Sequence, residues 1–477
     1  MASFLLSLVL LVVGYFTYGV VVERVFGIDT KRITPAVALE DGVDYVPMAW
    51  GKIFLIQFLN IAGLGPIFGA IMGALFGPAA FLWIVFGTIF AGGVHDYLSG
   101  MMSMRHDGKS IPEVVGIYLG NGMRQVMRVF SVVLLILVGT VFMAGPAGLL
   151  ANLGFTGIFA NKFFWVVVIL VYYFIATVLP IDKVIARFYP VFGIVLLIMA
   201  VGIGLMLVVT KAPIPNITFV NMHPSNLPIW PILFITIACG AISGFHSTQS
   251  PLMARCLSNE SYGRKVFYGA MVGEGIVALV WAAAAMSFFP NGIAGLNDVL
   301  NQGGTGLVVN KISMGLLGPV GGVLAMLGVI ACPITSGDTA FRSTRLILGD
   351  MFSIEQKGVK NRLLLSIPIL GIGFALNFID FAIIWRYFAW SNQTLATIVL
   401  WTGAVYLHQE KRNHLMASVP AAFMTAVVTT YILQAPEGFS LPTTISYPIG
   451  IVAAVAATLA FVVYLRKQQA RLGVAHR

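Results

Sequence analysis

Long apolar stretches separated by short polar connections dominate this chain. A membrane-crossing helix needs roughly 17–25 mostly apolar residues. Thirteen segments meet that requirement: 4–22, 53–77, 79–103, 127–150, 163–180, 190–210, 230–250, 266–289, 316–341, 363–379, 381–407, 416–434 and 446–465. The connections carry turn and breaker residues, such as Lys211-Ala212-Pro213-Ile214-Pro215 and Pro290-Asn291-Gly292. Only Asp380 divides the tenth segment from the eleventh. Residues 4–22 have no Lys or Arg before them and no small-residue cleavage site after them. They read as a retained span rather than a signal peptide.

Composition narrows the class. Of 477 residues, 10% are charged and 58% hydrophobic, against about 25% charged in ordinary soluble proteins. Mean hydropathy is +0.93. Such a chain has too little polar surface to coat a water-soluble globule, which excludes a soluble enzyme, a disordered protein and a secreted disulfide scaffold. The pattern predicts an all-α polytopic membrane protein. Cys239, Cys256 and Cys332 are too few and too scattered for a disulfide framework or a CxxC metal site, and read as packing residues.

The net charge of +10 has a location. The segments after odd-numbered spans, with the tail, hold 24 of the 28 Lys and Arg residues, among them Arg24, Arg105, Arg255, Arg342 and Lys411. The opposite side holds only Lys162, Lys211 and Lys311, and Arg386 lies within the eleventh span. By the positive-inside rule this predicts thirteen spans with the N-terminus outside and the C-terminus inside. The charge therefore reports topology and contact with anionic lipid, with no nucleic-acid partner.

Two spans are interrupted. The second contains Asn60-Ile61-Ala62-Gly63-Leu64-Gly65-Pro66, and the seventh contains Cys239-Gly240-Ala241-Ile242-Ser243-Gly244-Phe245-His246-Ser247-Thr248-Gln249-Ser250-Pro251. Glycine and proline at mid-membrane depth unwind a helix, and unwound backbone there is tolerated only in a protein interior or beside a cavity. The two breaks open successive groups of five spans, so they cross the membrane in opposite directions. The expected organisation is a peripheral first helix and loop (1–52), repeat 1 (53–210), repeat 2 (230–407) and two peripheral helices (416–465). Paired discontinuous helices in inverted repeats are the pointer to a secondary transporter with a midplane site. The alternative is a pair of merely kinked structural helices. Glycines 65, 69, 73 and 77 recur every four residues, as do Gly269 and Gly273, and permit close helix packing.

Four blocks then carry a resemblance. Gly92-Gly93-Val94-His95-Asp96-Tyr97-Leu98-Ser99-Gly100, Gly244-Phe245-His246-Ser247-Thr248-Gln249-Ser250, Cys332-Pro333-Ile334-Thr335-Ser336-Gly337-Asp338-Thr339-Ala340-Phe341-Arg342 and Trp385-Arg386-Tyr387-Phe388-Ala389-Trp390-Ser391-Asn392-Gln393 are similar to the carbon starvation protein A family, over roughly residues 5–410. The chain looks like a short member. The resemblance implies an inner-membrane nutrient transporter of a bacterium, made during carbon starvation, for peptides, with relatives for pyruvate. It also implies the five-plus-five inverted repeat of the amino acid–polyamine–organocation superfamily, a LeuT-like core.

Ionisable residues inside spans are costly and few, so each is a functional candidate: His95, Asp96, His246, Glu274, Asp338 and Arg386. At about 1.5 Å per residue, His95 lies roughly 24 Å from the outer face and Glu274 roughly 12 Å from the inner one. The superfamily's moving bundle joins the first two helices of each repeat, which would make His95, Asp96 and Glu274 neighbours. Such a group either couples protons or locks the bundle as a structural polar cluster. The resemblance also implies a cation site between the first break and the ninth span. Thr335, Ser336, Asp338 and Thr339 beside Gly63 suit Na⁺, or Asp338 alone a proton, unless Asp338 simply pairs with Arg342 one turn on. Half-helix N-termini attract a carboxylate and free carbonyls take a cation. The substrate-binding candidates are therefore Asn60, Gly63, Gly65, Gly240, Ser243, Gly244, His246, Gln249 and, on the eleventh span, Arg386 and Asn392. Arg386 either captures an incoming carboxylate, forms an outer gate or snorkels to the headgroups.

The leading expectation is cation-coupled import of peptides, pyruvate or both, with H⁺ favoured over Na⁺ and no resident metal or cofactor. A channel would show a filter motif or a charged ring, and an enzyme a motif such as HExxH or GxSxG; neither is visible. A sensor would bind substrate without flux.

Overall fold

The computed structural model describes residues 1–475 except 43, 154–155, 179–180 and 357; for 178, 181–190, 320, 324–325 and 467–475 it describes the backbone alone. The end of the predicted fifth span, at 179–180, lies outside the described residues. Described residues form helices and connections, with one isolated bridge between Met48 and Leu257. Helices stand at all thirteen predicted positions. Among the described residues, nine are long and apolar enough to cross a membrane, or ten if the bent pair Trp50–Ile61 and Gly65–Phe76 counts as one span. The other three differ for physical reasons. Lys162–Val178 is short, Ile229–Thr236 and Gly244–Ala254 are two halves of one broken stretch, and Phe381–Gln409 is long but carries Arg386, Ser391, Asn392 and Gln393.

Burial orders these helices. Over an apolar window of 18 residues, the central stretches Ala79–Arg105 and Glu260–Ser287 are each 83% buried within the protein, whereas that of Thr443–Arg466 is only 17% buried. An apolar helix that packs few neighbours on this side presents its surface to lipid. Both central helices contain a turn of π-helix, at Thr88–Gly92 and Arg264–Tyr268. A π-turn inserts a residue and rotates the remainder of the helix about its axis. Downstream of these turns lie His95 and Asp96 on one helix and Glu274 on the other.

The ninth predicted span needs correction. The helix does not end at 341; it runs within Ile293–Phe352, interrupted at Gly303, Gly304 and Gly318. Asp338 is therefore interior, at 3% exposure. Two arginines explain why the helix continues. Arg342 Nη2 donates to Ala176 O at 2.9 Å and Arg345 Nη1 to Thr177 O at 3.4 Å. They satisfy carbonyls at the end of Lys162–Val178 that would otherwise be orphaned. The residues between 290 and 315, expected as a connection, are largely helical. Asp380 does begin the eleventh helix, its carboxylate accepting from Ala382 N at 2.8 Å.

One buried ion pair ties the end of the bundle that carries most of the positive charge. Arg105 holds Glu260 with two bonds of 3.0 and 2.9 Å, and also donates to Gly27 O and Tyr406 Oη. Glu260 further accepts from Asp29 N and pairs with Arg32. Glu260 is fully buried, while the Arg32 side chain is 47% exposed. Removing one partner of a buried pair strands the other. Glu260→Ala is expected to cost about 3–5 kcal/mol, and Arg32→Ala under about 1 kcal/mol, read by thermal unfolding in detergent. Equal losses from both would contradict this ranking.

Candidate functional site

The two breaks meet each other. The first falls at residues 62–64, between Trp50–Ile61 and Gly65–Gly73, with a bend of 48°. The second falls at 237–243, between Ile229–Thr236 and Gly244–Ala254. A Cβ on Gly65 would sit 2.3–2.4 Å from the Cβ and Sγ of Cys239, and one on Gly69 would sit 2.9 Å from Thr236 O. The glycine stripe of the first broken span is thus the surface on which the second lies.

Neighbouring helices satisfy the backbone that the breaks release. Trp83 Nε1 donates to Ile237 O at 3.1 Å and Thr88 Oγ1 to Gly240 O at 3.1 Å. Cys332 Sγ donates to Leu59 O and Ala62 O, and Ser336 Oγ to Leu59 O at 3.3 Å. Asn392 Oδ1 accepts from Phe245 N at 2.7 Å and from Ser243 Oγ at 3.1 Å. Gly244 lies so close to this helix that a Cβ would meet Asn392 O at 2.4 Å.

Beside the breaks, four ionisable side chains form one chain of contacts, all with no exposure. The Asp96 carboxylate accepts from His95 Nδ1 and His246 Nδ1, each at 2.8 Å, one on each oxygen. His246 Nε2 stands 3.2 Å from Glu274 Oε2. That is ion-pair distance without hydrogen-bond alignment, and neither atom has a hydrogen-bond partner among the described residues. His95, Asp96 and Glu274 are thus brought together, but through His246, which the sequence pattern groups with the substrate candidates.

The remaining candidates divide. Among the described residues, Asn60 Oδ1 and Gln249 Oε1 are buried without a hydrogen-bond partner, and so are both amide atoms of Gln57, which sequence reasoning did not single out. Gly63 packs against Phe142, and Gly240 against Ala278. Thr335, Ser336 and Thr339 donate back into their own helix, Ser336 also reaching Leu59 O. Asp338 Oδ2 lies 3.7 Å from Arg342. Arg386 pairs with Glu437 at 3.2 Å, and its side chain is 43% exposed. It borders a cavity of ≈ 290 Å³ that also touches Thr236 and Trp385. An adjoining cavity of ≈ 380 Å³ is bordered by Phe68, Asn152 and Lys162, and the two share Gly304, Thr305 and Phe381. Phe68 and Thr236 belong to the two broken helices, so open space leads to both.

The fold and site define an all-helical membrane protein built on two apposed discontinuous helices. The fold overlaps a manganese transporter from Eremococcus coleocola with a TM-score of 0.54 at 12% identity, over 88% of this chain and 94% of that one. It overlaps MhsT in complex with L-phenylalanine with a TM-score of 0.57 at 14% identity, over 87% and 99%. These likenesses are of fold. The family described as carbon starvation protein CstA matches residues 1–160, 152–305 and 294–431. The chain belongs to that family. An uncharacterized membrane protein of Haemophilus influenzae is 44% identical over 353 residues, 64% of this chain and 95% of that one. The peptide transporter CstA of Bacillus subtilis is 27% identical over 88% of each chain. The pyruvate/proton symporter BtsT of Escherichia coli is 28% identical over 64% of this chain and 51% of its own length.

The close approach at Gly244 is testable. Gly244→Ala places a methyl group against backbone that cannot yield, and is expected to lower stability by about 1–3 kcal/mol. At Gly51 a Cβ meets nothing within 4 Å among the described residues, so Gly51→Ala should be neutral or stabilising by up to about 1 kcal/mol. Melting curves of the two purified variants check the contrast.

Proposed function

We propose that this chain is a secondary active transporter that imports small carboxylate nutrients across the cytoplasmic membrane of a bacterium, driven by a cation and by H⁺ in the first instance. The observation that carries the proposal is the apposition of two broken helices beside a buried His95–Asp96–His246–Glu274 chain. Relatives named for peptide and for pyruvate/proton transport support it, as does the family's tie to carbon starvation. In this reading thirteen spans run from an outside N-terminus to an inside C-terminus, and spans 2–6 and 7–11 are inverted repeats.

The substrate enters through the cavities bordered by Lys162 and Arg386, whose cationic groups suit a carboxylate, and reaches the polar atoms of Asn60 and Gln249 at the breaks. The coupling proton resides on the buried chain. A charge alone in a membrane interior is strongly disfavoured, so the chain changes protonation only as access switches sides. Ser336 and Thr335 near the first break, with Asp338, remain the candidate site for Na⁺ coupling. The Asp338–Arg342 contact favours the proton reading, because it already neutralises that carboxylate.

Purified protein in liposomes should accumulate labelled peptide or pyruvate when the exterior is made acidic at constant Na⁺. His95→Ala and Glu274→Ala should abolish accumulation while leaving counterflow exchange, and Asp338→Asn should retain it. Accumulation that follows an imposed Na⁺ gradient and ignores pH would move coupling to the Asp338 site. No uptake under either gradient with any substrate tested would overturn the transporter reading.

A further inference from the structure

We propose that Cys239, His246 and Glu274 form a binding site for a late first-row divalent metal ion of the zinc class. Cys239 Sγ, a His246 ring nitrogen and a Glu274 carboxylate oxygen lie within 4.8 Å of one another, and all three residues are buried. Ligands on one tetrahedral zinc ion stand about 3.3–3.8 Å apart, given metal–donor distances of about 2.0–2.3 Å. The donors would therefore have to close by up to about 1–1.5 Å around the ion. Both Glu274 oxygens and His246 Nε2 have no hydrogen-bond partner among the described residues, so the donor atoms are available.

The surroundings orient the donors as a metal requires. Asp96 accepts from His246 Nδ1–H at 2.8 Å, which leaves the lone pair on Nε2, on the side of Glu274. A carboxylate behind a ligating histidine is the usual second layer of such a site. Asn392 spends its Oδ1 on Phe245 N and Ser243, which turns its N–H toward Cys239 Sγ at 3.5 Å. A donor in that position favours the thiolate. Gly65 leaves the sulfur its space, because a Cβ there would lie 2.4 Å from it.

The donor set selects the metal. Mg²⁺ and Ca²⁺ take oxygen ligands, whereas a thiolate, an imidazole and a carboxylate suit Zn²⁺ and its neighbours, with a fourth position open. On binding, the Cys239 thiol gives its proton to the buffer as the metal–sulfur bond forms. His246 keeps its Nδ1 proton and Glu274 binds as the carboxylate. The ion would pin the second break to the Glu274 helix. It would also occupy the atoms that the transport reading gives to the proton, so Zn²⁺ should inhibit uptake; only this consequence rests on that reading.

The test begins with the full chain, purified in detergent, stripped with chelator and titrated with Co²⁺. The expected result is a sulfur-to-cobalt charge-transfer band in the near ultraviolet, with visible d–d bands, saturating at one ion per chain and displaced by Zn²⁺. Cys239→Ser should lose the charge-transfer band and Glu274→Gln should weaken binding, while Cys256→Ser should keep both. No band in the wild type, or a band kept by Cys239→Ser, overturns the site. In liposomes, Zn²⁺ should suppress uptake by the wild type but not whatever uptake Cys239→Ser retains; equal suppression overturns the site as the cause. A chain that transports but gives no cobalt band refutes the metal site alone. A chain that binds Co²⁺ yet transports nothing refutes the transport reading alone.

Discussion

An unpaired backbone amide or carbonyl is costly where no water is at hand, and two interruptions of helix in the buried interior of the protein expose several at once. The arrangement around residues 62–64 and 237–243 is a consequence of that cost. Trp83 and Thr88 reach the second break, Cys332 and Ser336 reach the first, and Asn392 caps the restart at Phe245. These partners come from three different helices, each of which must therefore pack against a break. The glycines at 65, 69 and 244 allow the approach that short side chains need to make those bonds. The architecture of the centre is thus dictated by hydrogen bonding, and apolar packing fills in around it.

The same constraint separates the ionisable residues into two kinds. Asp338, Arg342 and Arg345 serve helix ends and one another, and Arg386 finds Glu437 near the rim. The His95–Asp96–His246–Glu274 chain is different. Asp96 is bonded on both oxygens, but both oxygens of Glu274 and the Nε2 atoms of His246 and His95 have no hydrogen-bond partner among the described residues. A polar network in a tightly packed interior that is incomplete at its ends has capacity for something further, whether a proton or a metal.

Much of this was legible in the sequence, and the reasons are physical. Apolar length located the helices, because span length is set by the bilayer. Glycine and proline located both breaks, because few other residues permit them. The rarity of charge identified the buried ionisable residues one by one. What escaped were features fixed by tertiary contact. The π-turns at Thr88–Gly92 and Arg264–Tyr268 carry no composition signal. The helix beyond Asp338 continues because Arg342 and Arg345 find carbonyls on a distant segment. His246 reads as a lone polar residue at a break until Asp96, 150 positions away, is brought to it. Cys239 looked like packing for the same reason. Its neighbours Glu274 and Asn392 lie far along the chain, and no local spacing marks them.

The second break also bears on how the protein is made. Ile229–Thr236 is eight residues long, and Gly244–Ala254 is rich in hydroxyl and amide groups. Neither half has the length or apolarity to leave the translocation machinery for lipid unaided. Yet Trp83, Thr88 and Asp96 have already been synthesised when this segment emerges, whereas Glu274 and Asn392 have not. The earlier part of the chain therefore acts as a template on which the later broken helix is first received. The ribosome must add well over a hundred further residues before Asn392 arrives to complete the cap.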